Sequence, residues 1–136
     1  PQNPTGDRTN ERFDGVTQET ATFSMNYGHD FGVTNMNLWA GLSYMSSSAL
    51  AAYNNPLDPN NAAIIDASTR AAAITLDARA SFGFSDGQYN IAIWGRNITD
   101  NRAWVQSLLV DPIGYQSGVR RDPATFGVTA TVKFGY

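Results

Sequence analysis

Five stretches of the chain alternate between apolar and polar residues with a period of two. The clearest is ATFGVTATVKFGY at residues 124–136, where apolar side chains occupy even positions and small, polar or charged side chains occupy odd positions. A β-strand has this period, because successive side chains point to opposite faces of a sheet. The pattern therefore predicts strands at about residues 18–29, 34–46, 69–85, 88–98 and 124–136.

The pair Asp86-Gly87 separates the third and fourth of these strands. Asp-Gly is a preferred pair for a two-residue type I′ turn, and this predicts a β-hairpin. With this turn Phe84 lies opposite Tyr89, and the apolar residues of both strands share one face. A register slip of one residue would mix the two faces, so the agreement supports the hairpin.

The same register predicts which polar residues meet on the other face. It puts Asp77 opposite Arg96 as an ion pair, and Arg79 opposite Trp94 as a cation–aromatic contact. We expect these four residues to share one surface of the sheet.

The breaks between the predicted strands are short and long in turn. The segments HDFGVT and Asp86-Gly87 are short, whereas residues 46–68 and 99–123 form long breaks that are expected to be loops. Outer-membrane barrels combine short periplasmic turns with long extracellular loops. The sequence therefore predicts an all-β fold, an antiparallel segment of about five strands from a larger transmembrane β-barrel. Further strands, outside residues 1–136, are expected to cover both edges of this sheet, since an open edge in lipid leaves backbone groups unsatisfied.

Composition changes this picture little but excludes several classes of protein. Charged residues make up 15% of the chain, against about 25% in typical soluble domains. The net charge is −3 and the basic residues are scattered, which argues against a nucleic-acid partner. The chain has no Cys, and this excludes a disulfide framework, a thiolate metal site and a Cys nucleophile.

Two segments near the C-terminus carry a family resemblance. They are YNIAIWGRNITDNRAW at residues 89–104 and RRDPATFGVTATVKFGY at residues 120–136. These resemble the penultimate and final strands of TonB-dependent outer-membrane receptors. The resemblance implies a barrel of about 22 strands, of which this chain supplies the last five. It also implies an N-terminal plug domain, which this chain lacks.

The same resemblance implies a location and a function. The location is the outer membrane of a Gram-negative cell, and the function is import of a scarce nutrient such as an iron–siderophore complex, haem, a vitamin or an oligosaccharide. The implied partners are the remaining strands and plug, the lipid and lipopolysaccharide of the membrane, the small-molecule substrate, and the TonB complex acting through the plug region. A passive porin-type or structural outer-membrane barrel is the alternative, because it shares the same strand pattern.

Two groups of residues are candidates for contact with a substrate. Asp77, Arg79, Trp94 and Arg96 are predicted to face the barrel interior, either as a ladder of charges against the plug or as a path that attracts anionic substrates. The second group lies in or beside the long breaks and comprises Tyr53, Asn54, Asn55, Tyr115, Arg120 and Arg121. Asn is also a common turn former, and basic residues at a membrane rim often act as anchors.

No residue pattern indicates an enzyme, a cofactor or a metal site. His29 is the only histidine, and a single histidine without partners is a poor metal site. Asp58 and Asp66 have oxygen ligands suited to Ca²⁺, but their spacing does not match a calcium-binding loop. The protein is therefore expected not to be an enzyme.

Overall fold

The described part of the chain is built only from antiparallel β-strands. The computed structural model describes residues 15–50, 69–85, 87–110 and 115–134, without the side chains of residues 107–110 and 115–116. The strands are β1 Thr20–Asp30, β2 Thr34–Met45, β3 Ser48–Ala49, β4 Thr69–Arg70, β5 Ala73–Phe84, β6 Tyr89–Arg96, β7 Trp104–Val110, β8 Tyr115–Arg120 and β9 Thr125–Val132. Within the described ranges, no helix is long and apolar enough to cross a membrane.

Five strands form the main sheet, in the order β1-β2-β5-β6-β9. These are the five strands predicted from the alternating pattern. Among the described residues β1 and β9 each have one neighbour, so they are the edges of an open sheet. The all-β, antiparallel fold is thus confirmed, whereas closure into a barrel stays a prediction.

The predicted register of the β5–β6 hairpin is confirmed. Phe84 pairs with Tyr89, and the pairing continues in step to Ala78 and Gly95. At the turn, the backbone N–H of Gln88 donates to the carbonyl of Ser85 at 3.0 Å. Asp86 lies outside the described residues, and the type of this turn therefore stays a prediction.

The two long breaks are not simply loops, and this part of the prediction was wrong. β7 and β8 form a hairpin within residues 99–123, and β3 pairs with β4. The β7–β8 register shifts between Trp104 and Gln106, and such a bulge interrupts the period of two that marks a strand in the sequence. The predicted strand at residues 69–85 is also divided, because Arg70 belongs to β4 and the main sheet begins again at Ala73.

Chain contacts divide the molecule into two compact units. The first comprises Pro1–Thr20, Met45–Ala73 and Ala103–Arg121, and it holds the β3–β4 and β7–β8 pairs. The second comprises Ala21–Tyr44, Ile74–Arg102 and Asp122–Tyr136, and it holds nearly all of the main sheet.

The two faces of the main sheet have the predicted compositions. One face carries the large apolar side chains, and most of them are exposed: Phe23, Met25, Tyr27, Leu38, Leu42, Ile74, Phe84, Tyr89, Ile91, Ile93, Phe126, Val128 and Val132. Within the described residues the buried apolar side chains are only those of Ala49, Ala73 and Ala92. The apolar face of the sheet is therefore largely exposed, and within the described ranges it holds no core of large side chains.

The other face is polar and internally hydrogen-bonded. The Asn37 side-chain amide donates to Asn26 Oδ1 at 2.9 Å, which joins β2 to β1. The Ser81 hydroxyl lies 3.4 Å from the carbonyl of Asn37, between β5 and β2. This face contains the candidate site.

Candidate functional site

A hollow of about 610 Å³ lies on the polar face of the main sheet. Its lining residues are Trp39, Asp77, Ala78, Arg79, Trp94, Gly95, Arg96 and Thr129. All four residues predicted to face a barrel interior are among them. The sequence therefore identified this set correctly as neighbours on one surface.

Strand geometry brings these side chains together. Asp77 and Arg79 are two residues apart on β5, and Trp94 and Arg96 are two apart on β6, so each pair points to one face. Arg79 is the cross-strand partner of Trp94, which aligns the two pairs. The pleat and the register alone are enough to produce this cluster.

Trp94 is fixed by two contacts with β9. Its indole Nε1 donates to Thr129 Oγ1 at 3.1 Å. Its ring lies against the backbone of its cross-strand partner Gly127, where an added Cβ would overlap the ring. A larger residue there would force the ring to move, because the aromatic ring occupies the space of a side chain. The wall of the hollow is therefore a packed surface.

The predicted ion pair between Asp77 and Arg96 is not formed. Asp77 Oδ1 instead accepts a hydrogen bond of 2.7 Å from the backbone N–H of Asn97. The chain turns directly after β6 and brings this N–H to the carboxylate. A hydrogen bond from the backbone thus replaces the predicted ion pair of Asp77.

The cation that lies over the Trp94 ring also differs from the prediction. The guanidinium carbon of Arg96 is 5.5 Å from the ring centroid, whereas Arg79 was expected to make this contact. Arg96 can reach the ring because it follows Trp94 on the same strand and the same face. Arg79 is exposed and lines the hollow.

The sequence analysis missed a buried asparagine at the end of β6. Asn97 is only 6% exposed and has a φ of 48°, a conformation that Asn adopts more readily than most residues. Its Nδ2 donates to the carbonyls of Asn101 at 3.0 Å and Asp122 at 2.7 Å, and its Oδ1 accepts from the N–H of Asn101 at 2.9 Å. We call residues 97–101, with these bonds, the Asn97 turn.

The Asn97 turn ties three strands of the main sheet together. The N–H of Ile98 donates to the carbonyl of Leu76 on β5 at 2.8 Å. Asp100 Oδ1 accepts from the N–H of Ala124, just before β9, at 2.9 Å. The turn lies within the NITDN segment that carried the family resemblance. Its Asn and Asp, three residues apart after a strand, were a usable signal, since both residue types bond to nearby backbone groups.

The second group of candidate residues is only partly described. Tyr53, Asn54 and Asn55 lie outside the described residues. Tyr115 is the first residue of β8, and its side chain is not described.

The arginines of this second group are held within the first unit. The Arg120 guanidinium lies 4.3 Å from the ring centroid of Trp104, across the β7–β8 pair. The backbone N–H of Arg121 donates to the carbonyl of Ala103 at 3.0 Å. A ligand role for either residue stays a prediction.

His29 lies among aromatic residues on the apolar face. Its ring is stacked with that of Tyr27 at 6.4 Å between centroids and meets the edge of Phe31 at 4.4 Å. In the described part of the chain, no group of three or more His, Cys, Asp or Glu residues is placed to hold a metal ion. Asp58 and Asp66 lie outside the described residues.

No family model, curated protein or solved structure matches the chain.

Proposed function

We propose that the chain is the C-terminal part of an outer-membrane β-barrel receptor that imports a scarce nutrient by TonB-dependent transport. In this proposal the apolar face of the main sheet contacts lipid. The hollow lined by Asp77, Arg79, Trp94 and Arg96 faces the barrel interior. The nutrient belongs to the classes implied by the family resemblance: an iron–siderophore complex, haem, a vitamin or an oligosaccharide.

The observation that carries the proposal is the exposure of the apolar face. Val128 and Phe126 on β9 are 69% and 66% exposed, and Phe23 on β1 is 67% exposed. Exposed apolar surface costs about 25 cal/mol per Å² in water, and soluble monomers seldom expose large contiguous patches. Here the exposed residues occur on all five strands of one sheet, while the opposite face is polar. Lipid removes this cost, whereas water does not.

The strand pattern and the resemblance at residues 89–136 favour a receptor within this class. The short turn of residues 31–33 is closed by a bond of 2.8 Å from the N–H of Phe31 to the carbonyl of Thr34. Short turns alternating with longer connections are typical of outer-membrane barrels.

The proposal can be tested by labelling single cysteines, because the natural chain contains none. Ile91→Cys and Asn90→Cys are a matched pair, adjacent on β6 but on opposite faces. In the membrane fraction of cells that make the protein, a charged maleimide should label Asn90→Cys and leave Ile91→Cys unlabelled until detergent is added. Equal labelling at both positions before detergent would contradict contact between the apolar face and lipid.

A second measurement separates receptor from porin. Uptake by cells producing the protein should stop when the inner-membrane motor is de-energised. Uptake that continues without energy would favour the passive porin-type barrel instead.

A further inference from the structure

An unusual combination of buried polar atoms occurs where β3 pairs with β4. Ser48 and Arg70 are direct cross-strand partners, so their side chains lie on the same side of this pair. Ser48 is 1% exposed. Its Oγ and the Nε of Arg70 are both buried, and neither has a hydrogen-bond partner in the part of the chain that the structure describes. Two adjacent groups of this kind are rare, because a polar group that is buried without a partner loses its hydrogen bonds to water.

Within the described ranges, the charge of Arg70 also has no opposite charge beside it. Its Nη2 donates to Thr17 Oγ1 at 2.5 Å, which is a neutral partner. Among the described residues, no carboxylate lies within salt-bridge distance of Arg70. A partly buried cation without an opposite charge is unfavourable. An anion bound at Arg70 would remove this cost as well as the unpaired donor.

We propose that Ser48, Arg70 and Thr17 form a binding site for a small oxyanion, a phosphate or carboxylate group. Arg70 offers its Nε–H, and the Ser48 hydroxyl offers a second donor. The Thr17 hydroxyl accepts from Arg70, and this leaves its own hydrogen free to donate to the same anion. Guanidinium groups suit phosphate and carboxylate because their planar donors match pairs of oxygen atoms.

The proposed site differs from the hollow. The side chains of Arg70 and Thr17 are each half-buried, whereas Ser48 Oγ and Arg70 Nε are themselves buried, so an anion reaches these two donors only when neighbouring side chains move. All three residues belong to the first unit, and none lines the hollow. The inference therefore does not depend on the proposed transport function.

The first test uses Ser48→Ala in the detergent-solubilised chain, with the urea unfolding midpoint measured at increasing inorganic phosphate and constant ionic strength. Without phosphate, removal of the unpaired buried hydroxyl should leave the midpoint unchanged or raise it. With phosphate, the natural chain should gain stability by binding, and Ser48→Ala should bind about tenfold more weakly. Ser48→Ala should therefore be at least as stable as the natural chain without phosphate and less stable than the natural chain with phosphate.

Ser47→Ala is the matched control, since it is the adjacent serine and Ser47 has no such buried, unpaired hydroxyl among the described residues. It should respond to phosphate like the natural chain. The inference is overturned if phosphate does not shift the natural chain. It is also overturned if phosphate stabilises Ser48→Ala as much as it stabilises the natural chain, since the hydroxyl would then contribute nothing to binding.

The second test removes the charge by Arg70→Gln. Phosphate binding, measured by calorimetry, should fall by at least about a hundredfold, because a charged pair and its hydrogen bond are lost. Arg120→Gln removes an exposed arginine elsewhere and should leave binding unchanged. An equal loss in both variants would show nonspecific attraction and contradict the site.

Parallel titrations identify the source of the anion. Acetate in place of phosphate tests a carboxylate, and vesicles containing phosphatidic acid test a lipid headgroup, with phosphatidylcholine vesicles as the control. Saturation by phosphate or acetate alone indicates a soluble ligand. Binding only to phosphatidic acid vesicles indicates a lipid phosphate. Binding to none of the three overturns the proposal.

Discussion

The two faces of the main sheet differ in what their side chains contact. On the apolar face, Phe126 and Val128 have most of their surface free of protein contacts. On the polar face, Trp94 packs against Gly127 and donates to Thr129, and Asp77 accepts from Asn97. Contacts within the chain thus hold Trp94 and Asp77 on the polar face, whereas the described residues leave Phe126 and Val128 on the apolar face exposed.

The two faces therefore obtain their stability from different sources. The polar face depends on specific hydrogen bonds and close packing, which are sensitive to single atoms. The apolar face depends on the surrounding medium, through a term that is proportional to area and has no direction. Substitutions on the two faces should therefore lower the free energy of unfolding for different reasons.

The largest expected effect comes from placing a charge on the apolar face. Ala130→Arg and Thr131→Arg are adjacent on β9, and their cross-strand partners are Ile91 and Asn90. In membranes, Ala130→Arg should lower the free energy of unfolding by about 2–4 kcal/mol, because the charge enters lipid. Thr131→Arg should have little effect, since the polar face remains hydrated. Urea unfolding in lipid vesicles measures both, and similar losses would abolish the distinction between the faces.

The next effect concerns the Asn97 turn. Asn97→Ala removes the side-chain bonds to Asn101 and Asp122 and places alanine at a φ of 48°. We expect a loss of about 3 kcal/mol in the free energy of unfolding.

Asn97→Gly separates the two causes, because glycine tolerates the positive φ but lacks the amide. It should be less harmful than Asn97→Ala by about 1 kcal/mol, with both values taken from urea unfolding. If the glycine variant were as stable as the natural chain, the side-chain bonds would contribute nothing.

A smaller loss of stability tests whether the polar face is closely packed around Trp94. Gly127→Ala puts a methyl group where the Trp94 ring lies, and it should cost about 1–3 kcal/mol. Near-ultraviolet circular dichroism should also change as the indole moves. Gly28→Ala, on the same face of β1, is the matched control. The nearest atom to its added Cβ is Asn37 Nδ2 at 3.8 Å, and stability should be unchanged or slightly higher. Equal changes in stability at the two positions would show that the overlap with the Trp94 ring adds no cost, because the ring moves aside.

Much of the main sheet was predictable, because the information is local. Alternation placed the five strands, and the Asp86-Gly87 pair fixed the register between Phe84 and Tyr89. The second hairpin was not predicted, since the shift between Trp104 and Gln106 removes the alternation on which the prediction depended. Side-chain parity alone placed Asp77, Arg79, Trp94 and Arg96 on one surface, and all four line the hollow.

The contacts within the hollow were less predictable. Asp77 and Arg96 were assigned to each other because opposite residues on a sheet meet. The pairing ignored the backbone N–H of Asn97, which lies just beyond the strand and reaches the carboxylate first. A strand register identifies which residues are neighbours. It does not determine their side-chain rotamers or which other donors compete for a carboxylate.

The period of the strands, the two faces and the pairing of β5 with β6 follow from the sequence alone, because the pleat of the backbone and one turn produce all three. Three further features arise only in the folded chain: Arg96 lies over Trp94, Asn97 is buried beside Asp122, and Ser48 pairs with Arg70. The last two join residues more than twenty positions apart. They depend on how separate strands assemble, which no local pattern encodes.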